Sequence, residues 1–357
     1  MKKVAAILLA MMMLVSLVAC GAKTAAPAAD TKSESQPAAQ SATEPKKEEA
    51  PANAAAAPSF PTKPITLNLT GKPGSGTDIL FRALGSALEA ETGCTMVCVT
   101  QLWAPNLLST MEAAPDGYTL CALPSANVCR SLVDAGSQDP NWKDVQVLAA
   151  VSVSEVAIGV SAADERFASM NTLADLIEWL KANPSEHILL GCGSKSSVST
   201  IAPTVLFRTL NLLDQITFVN SSDDNELTTS ILNGSVDVFA NTTGGVYNLY
   251  QEEKVKILGV FSEERSSFFP DAQTIKEQGY DVVVPVFHLI ATTKDTPVEV
   301  QNVLIEMLKK ASTSQGFADA TKAQGYTASF QDQATTIAML ENLTAILESV
   351  KTEIGWK

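Results

Sequence analysis

The sequence is poor in the residues on which most enzymatic and metal sites depend. Its 357 residues include two histidines, His187 and His288, and neither has the spacing of a metal ligand from another histidine or a cysteine. A Gly-x-Ser-x-Gly elbow and the Gly-x-x-x-x-Gly-Lys-Ser/Thr phosphate loop are also missing. These absences argue against a metalloenzyme, a serine hydrolase and a P-loop nucleotidase, and we expect no cofactor, no metal and no enzymatic activity.

Positive charge is scarce as well. The 25 Lys and Arg residues are outnumbered by 39 Asp and Glu residues, which gives a formal net charge of −14. So acidic a chain argues against nucleic acid as a partner. Local hydrogen-bond donors would have to hold any anionic ligand against an unfavourable overall field.

Cysteine pairs with zinc-type spacing are also missing. Five cysteines follow Cys20, and none of them forms a Cys-x-x-Cys pair: Cys94, Cys98, Cys121, Cys129 and Cys192. An odd number leaves at least one thiol unpaired. We expect most of them to be buried as small apolar residues, and the sequence leaves open a disulfide among them.

The N-terminus has the features of an export signal. Lys2 and Lys3 precede an apolar run from Val4 to Val18, and Leu17-Val18-Ala19-Cys20 follows the pattern of small residues before a cleavage site. This ending resembles the bacterial lipobox, which implies that residues 1–19 are a lipoprotein signal peptide and that Cys20 is lipidated. A transmembrane anchor is the alternative, but the run is shorter than the roughly 20 residues that a span requires.

The segment that follows has the composition of a linker. Residues 20–59 are mostly Ala, Pro, Lys, Glu, Ser, Thr and Gln after the cysteine. Such a segment cannot bury enough apolar surface to offset the entropy lost on ordering. We therefore predict a disordered tether between a membrane anchor and a folded body that begins near Phe60.

The body alternates strand patterns with helix patterns. Ile65, Leu67 and Leu69 alternate as in a strand, and a helix is predicted from about Asp78 to Gly93. Further strands and helices follow, and the chain ends with helices at 297–311 and 335–354. This order predicts an α/β fold with mainly parallel sheets, and ligands bind such sheets beyond the carboxyl ends of the strands.

Two small-residue loops lie at such strand ends, one in each half of the body. Each follows a strand, precedes a helix and contains a lysine, so free helix-start amides and a positive charge could hold an anion. Ordinary tight turns are the alternative. The candidate ligand residues in these loops are Lys72, Gly74, Ser75, Gly76, Thr77 and Asp78, and Gly193, Ser194, Lys195, Ser196 and Ser197.

Other polar residues also follow predicted strands. Asn220, Asn241 and Thr242 could bond ligand oxygens or cap the helices that come after them. His288 lies near the end of the segment predicted to connect the two halves and is a candidate ligand contact. His187 opens a strand and is interpreted as structural.

Taken together, several strings resemble the substrate-binding proteins of tripartite tricarboxylate transporters, known as Bug receptors. The resemblance spans about residues 60–335. Its strings include Pro64-Ile65-Thr66-Leu67, Pro73-Gly74-Ser75-Gly76-Thr77-Asp78, Ala114-Pro115-Asp116-Gly117-Tyr118-Thr119-Leu120 and Asn233-Gly234-Ser235-Val236-Asp237. Their order and spacing are specific, although each string alone is not.

The resemblance implies a type II periplasmic-binding-protein fold, with two α/β lobes joined by two crossing strands around a ligand cleft. Lobe 1 would comprise residues 60–157 and 285–357, and lobe 2 residues 158–284. Carried over by position, the ligand residues would include Gly74 to Asp78, Ser125, Gly193 to Ser197, Asn241 and Thr242. The implied function is extracytoplasmic capture of a small carboxylated metabolite (a di- or tricarboxylate, an amino acid or an aromatic acid) for the membrane subunits of a transporter. We expect a monomer, lipid-anchored to the cell membrane.

Two strings depart from the family pattern, both at predicted ligand-facing loops. A glycine-rich string that is usual after the second strand is replaced here by Thr100–Asn106, in which Trp103 could stack on a ligand or fill space. A Pro-Tyr-Lys-Gly string is replaced by Asn220–Asp223. A sensor subunit for a membrane signalling protein is the main alternative function, and an extracellular enzyme on a similar scaffold is a weaker one.

Overall fold

A computed structural model describes residues 60–221 and 224–356. The predicted signal peptide, the lipidation of Cys20 and the tether lie outside the described residues, as do Ser222 and Asp223. Within the described ranges, no helix is both long and apolar enough to cross a membrane.

Two β-sheets organise the described body. The first contains, in spatial order, β11 (Thr327–Gln331), β4 (Gln146–Ser154), β10 (Val286–Thr292), β3 (Thr119–Pro124), β1 (Ile65–Thr70) and β2 (Met96–Gln101). The second contains β7 (Ile216–Asn220), β6 (Ile188–Cys192), β8 (Val238–Thr242), β5 (Val156–Ser161) and β9 (Val255–Val260). We refer to each sheet with its helices as lobe 1 and lobe 2.

Helices pack around both sheets. Those of lobe 1 are α1 (Gly76–Thr92), α2 (Trp103–Met111), α3 (Ser125–Val133), α8 (Val298–Ser312), α9 (Gln315–Lys322) and α10 (Gln333–Val350). Those of lobe 2 are α4 (Leu173–Ala182), α5 (Val198–Thr209), α6 (Asp224–Leu232) and α7 (Thr243–Gln251). The last of the lobe 1 helices, α10, also reaches lobe 2, where Arg208 of α5 donates to the Ser349 carbonyl.

The prediction of mainly parallel sheets is wrong. β1 is parallel to β2 and β3, and β6 is parallel to β7 and β8. In contrast, β10 and β5 run antiparallel to both of their neighbours, and β11 is antiparallel to β4. Strands β5 and β10 enter from the other sheet, across Glu155 or the segment 261–285, so no crossover helix sets their direction.

Local sequence explains where the predicted helices begin and end. Ser75 accepts a hydrogen bond from the Asp78 amide at the start of α1, and Gly93 ends that helix with φ of 70°. At α4, Thr172 and Asp175 form a reciprocal capping box. These helix boundaries confirm the sequence prediction to within two residues.

Other elements differ from the prediction. The Thr100–Asn106 stretch, predicted as a ligand-facing loop, finishes β2 and begins α2, and Trp103 packs against the core. α9 and β11 occupy a region predicted without them, and Val282–Pro285 does not form the predicted strand. Short or irregular segments of this kind carry too little periodic signal to be identified before their packing partners are known.

The five cysteines of the described body are all unpaired, so the disulfide alternative is wrong for this conformation. Cys121, Cys129 and Cys192 are buried among apolar side chains that join both lobes in one core cluster. Burial raises the pKa of the Cys121 and Cys129 thiols to about 12. These thiols therefore behave as small apolar residues, as the sequence predicted.

Candidate functional site

Four helix starts converge between the lobes. α1 and α3 begin after β1 and β3 of lobe 1, and α5 and α7 begin after β6 and β8 of lobe 2. Each helix therefore directs its first turn towards the carboxyl edge of its sheet, and residues from all four first turns or caps line two adjoining chambers. The free amides and the positive end of a helix dipole at such positions favour an anion.

The two chambers share Thr77, Thr242 and Tyr326. The outer chamber has a volume of about 430 Å³, and the inner chamber about 180 Å³. The other residues of the outer chamber are Ser75, Gly76, Asp224, Gly244, Gly245, Tyr247, Asn248, Ala323, Gln324 and Gly325. The other residues of the inner chamber are Pro124, Ser125, Ala126, Asn127, Ser197, Val198, Val286, Phe287 and His288.

Two of the four helix starts carry no side-chain cap among the described residues. These are α3, which follows Pro124, and α7, which follows Thr242. At α1 and α5, by contrast, Ser75 and Ser197 already accept from first-turn amides. The Thr243 amide of α7 donates to the Glu155 carbonyl. The other first-turn amides of α3 and α7 have no described side-chain cap and can donate to a ligand in the chambers.

His288 forms part of the wall of the inner chamber. It is 4% exposed, its Nδ1 lies 3.0 Å from Ser152 Oγ, and its ring meets Phe81 and Tyr326 edge to face. Burial lowers the pKa of His288 to about 4, so the imidazole is neutral at physiological pH. No described residue hydrogen-bonds to Nε2, which leaves that nitrogen for a group in the chamber.

Asp224 enters the site from the start of α6. Its Oδ1 accepts a hydrogen bond from Asn241 Nδ2 at 3.0 Å, and Asn241 Oδ1 accepts from the Thr242 amide at 2.8 Å. Asn241 is buried and does not line either chamber as the described residues form them. The structure thus makes Asn241 a support for Asp224 and Thr242.

Some residues of the first small-residue loop line the outer chamber, and others lie outside it or support the loop. Ser75, Gly76 and Thr77 line the outer chamber, while Lys72 and Gly74 are exposed and lie outside the described lining of both chambers. The prediction that Lys72 places its charge at the ligand is not supported by this position. That prediction followed from the position of Lys72 in the loop that leads to the free amides at the start of α1.

Asp78 acts inside the loop. It is buried and accepts hydrogen bonds from the Gly74 amide (2.9 Å), Thr100 Oγ1 (2.6 Å) and Arg82 Nε (3.0 Å). Burial alone would raise its pKa, but these three partners outweigh burial and lower the pKa of Asp78 below its usual value. The carboxylate therefore fixes the loop that presents Ser75, Gly76 and Thr77.

The second small-residue loop contributes fewer chamber-lining residues than predicted. Ser197 lines the inner chamber, but Gly193, Ser194, Lys195, Ser196 and Asn220 lie outside the described lining. Asn220 Nδ2 donates to the Gly193 carbonyl at 2.8 Å, and Thr200 Oγ1 donates to the Ser194 carbonyl at 2.9 Å. These bonds occupy two backbone carbonyls of the loop and fix its conformation.

Sequence analysis missed most of the outer chamber. Tyr326, Gln324 and Gly325 come from the turn between α9 and β11, a region predicted without a strand. Tyr247 and Asn248 lie in the first turns of α7. The string Asn241–Gly245 carried a signal, because two glycines after a predicted strand indicate close approach of the backbone to a ligand or another segment.

Comparisons with known proteins agree with this architecture. The family described as "Tripartite tricarboxylate transporter family receptor" matches residues 95–350. A UPF0065 protein from the gbd 5' region of Cupriavidus necator is 28% identical over 263 residues, covering 72% of this chain and 77% of that protein. Protein BugT of Bordetella pertussis is 24% identical over 276 residues, covering 76% and 83%.

Solved structures share the fold. A TctC solute-binding protein from Polaromonas superposes with a TM-score of 0.71 at 23% identity, covering 82% of this chain and 99% of that one. MatC of Rhodopseudomonas palustris with bound malate superposes with a TM-score of 0.64 at 17% identity, covering 82% of this chain and 99% of that one. Another R. palustris protein, with adipate, superposes with a TM-score of 0.66 at 17% identity, covering 83% of this chain and 99% of that one.

The family match extends over the strands β2 to β11, which belong to both sheets, and over the helices α2 to α10. The solved structures confirm the two-lobed type II fold, and the family match confirms a role as a solute-binding receptor rather than an enzyme. The family acts outside the cytoplasm together with transporter membrane subunits. The chain belongs to the tripartite tricarboxylate transporter receptor family.

Proposed function

We propose that this protein captures a small carboxylated metabolite outside the cytoplasmic membrane and delivers it to the membrane subunits of a tripartite tricarboxylate-type transporter. The observation that carries the proposal is the convergence of four helix starts on two chambers, with α3 and α7 uncapped by described side chains. A carboxylate is the metabolite group that such donors suit best.

We place one ligand carboxylate at the inner chamber. There the first turn of α3 and Nε2 of His288 can donate to it, with Ser125, Ser197 and Thr77 alongside. A hydrogen bond to a charged group contributes about 1.5–3 kcal/mol. Three such bonds would total about 4.5–9 kcal/mol. Because association costs several kcal/mol, micromolar affinity (about −8 kcal/mol) would also need the contacts that the ligand gains when the lobes close over it.

The lobes would close over this ligand. The chain passes from the first sheet to the second across Glu155 and returns before β10, which supports lobe boundaries near 157/158 and 284/285. Residues from both sides, such as Thr77 and Thr242, line the same chambers. A ligand bridging them stabilises the closed form over any form in which the lobes separate.

The remaining parts of the proposal concern residues 1–59. An export signal at 1–19, a lipid on Cys20 and a tether over 20–59 would hold a monomeric receptor beside its membrane partner. The composition of those segments supports this reading. Mass spectrometry of the protein purified from its host membrane tests it, because cleavage before Cys20 and acylation of that residue give a defined N-terminal peptide.

Thermal shift and calorimetry with mono-, di- and tricarboxylates, including malate and adipate, test ligand capture. We expect at least one to raise the melting temperature and to bind with micromolar affinity. Thr77→Val removes a chamber hydroxyl and should weaken binding about 5- to 30-fold, whereas Thr217→Val, on an exposed position of β7, should not. If no carboxylate binds, the proposal fails.

A further inference from the structure

The charge of the chambers is unusual for an anion site. Among residues 60–221 and 224–356, no lysine or arginine lines either chamber, and His288 is neutral. Asp224 is the one acidic side chain of the described lining. A ligand with two carboxylates would therefore place its second charge in a cleft that already holds a carboxylate and offers it no described cationic side chain.

Asp224 is an exposed residue whose carboxylate is oriented by one buried side chain. Asn241, which is 4% exposed, donates to Oδ1 and so fixes the carboxylate against the end of β8. No described residue donates to Oδ2 or forms an ion pair with Asp224. An acidic oxygen at a chamber wall, oriented by a buried amide, is suited to accept from a charged donor that the ligand supplies.

The inner chamber has the opposite character. His288 is more than nine-tenths buried and forms part of that chamber's wall, its Nδ1 is held by Ser152, and its Nε2 is without a described partner. The uncapped first turn of α3 lies beside it. The inner chamber thus presents donors without an acidic side chain in its described lining, whereas the outer chamber combines the first turn of α7 with the Asp224 carboxylate.

We infer that the ligand carries a cationic nitrogen as well as a carboxylate, and that Asp224 binds the nitrogen in the outer chamber. This inference rests on the proposed function, since it takes the carboxylate to lie at the inner chamber. The ligand class is that of amino acids and other aminated carboxylates. A bound ammonium would compensate the Asp224 charge, and the pair would strengthen as closure removes water.

Matched ligand pairs test the inference by titration calorimetry on the purified protein. Each pair differs by one amino group: malate and aspartate (where it replaces a hydroxyl), adipate and 2-aminoadipate, butyrate and 4-aminobutyrate, hexanoate and 6-aminohexanoate. For the pairs that bind, we expect the aminated member to bind at least tenfold more tightly. Asp224→Asn should abolish this preference, because the cationic nitrogen loses its charged partner.

Glu226→Gln is the control, because it removes a neighbouring acidic charge from the first turn of α6 without touching the chambers. It should keep the preference for aminated ligands. Equal or tighter binding of the unaminated members to the unaltered protein would overturn the inference and leave carboxylate capture standing. A preference for aminated ligands that persists in Asp224→Asn would likewise overturn the inference and leave carboxylate capture standing. Failure of every carboxylate to bind would instead remove the proposed function, and the inference with it.

Discussion

Gly244 at the start of α7 and Gly325 in the turn before β11 meet backbone to backbone across the two lobes. A Cβ on Gly244 would lie 2.5 Å from the Gln324 carbonyl oxygen, and a Cβ on Gly325 would lie 2.6 Å from the Gly244 amide nitrogen and Cα. Neither contact can be relieved by a side-chain rotation, because the opposing atoms are backbone. The approach of the lobes beside Tyr326 therefore requires glycine on both sides.

Gly244→Ala should weaken ligand binding at least tenfold while leaving the fold intact. The added methyl group blocks the closed approach of the lobes, but alanine suits the first turn of α7 and should stabilise the helix by about 0.5–1 kcal/mol. Calorimetry measures the affinity, and small-angle scattering with saturating ligand shows whether the shape still contracts.

Gly316→Ala is the matched control for this substitution. Gly316 lies within α9, where an added Cβ meets nothing within 4 Å, so binding should be unchanged. Unaltered affinity in the Gly244 variant would show that ligand binding does not need this contact.

His288→Gln should change the pH dependence of stability. The folded pKa of about 4 lies below the ordinary 6.5, so the unfolded chain binds more protons between these values. The contribution of His288 is therefore complete above about pH 6.5 and is lost as the pH falls towards 4, by about 3 kcal/mol in total. Urea unfolding at pH 7.5 and 4.5 should show a smaller drop in the variant. Equal drops in both proteins would contradict the burial of a neutral imidazole.

Asp78→Asn should lower both stability and ligand affinity, whereas Lys72→Ala should leave both nearly unchanged. The first leaves the Gly74 amide, Thr100 and Arg82 with a weaker acceptor and should lower the free energy of unfolding by about 1–3 kcal/mol and weaken binding through the displaced loop. The second removes an exposed side chain outside the chamber lining and should change stability by less than about 0.5 kcal/mol and affinity by less than threefold. A large loss of affinity in the Lys72 variant would return that lysine to the site.

Glu155→Gln tests the connection between the sheets. Burial raises the pKa of Glu155, although Thr243 Oγ1 donates to its carboxylate at 2.8 Å and partly opposes the shift. A carboxyl with a raised folded pKa loses its contribution to stability as the pH rises through that value. The free energy of unfolding of the variant, relative to the unaltered protein, should therefore increase from pH 5 to pH 8. A constant difference would indicate that Glu155 is not held in a desolvated position.

Much of the fold follows from local sequence, and so does part of the site. Capping residues such as Ser75 and Thr172 set helix starts through bonds to amides three residues away, and strand alternation at Ile65–Leu69 needs no distant partner. The sequence predicted the site residues Ser75, Gly76, Thr77 and Ser197. Small residues between a strand and a helix indicate a tight loop with free helix-start amides, and this signal is local. The family strings added the two-lobed architecture.

The tertiary structure decided which polar groups face the chambers. Lys72 and Lys195 share their loops with lining residues yet lie outside the described lining, while Asp224, Gln324 and Tyr326 enter it from segments far apart in sequence. Sequence spacing fixes the direction of a side chain relative to its own helix or strand, but not which surfaces meet when two lobes close. The sequence alone therefore determined most of the elements and the class of receptor. Only the packing of lobe against lobe determined the charge, size and membership of the site, because those properties arise from contacts between residues that no local interaction connects.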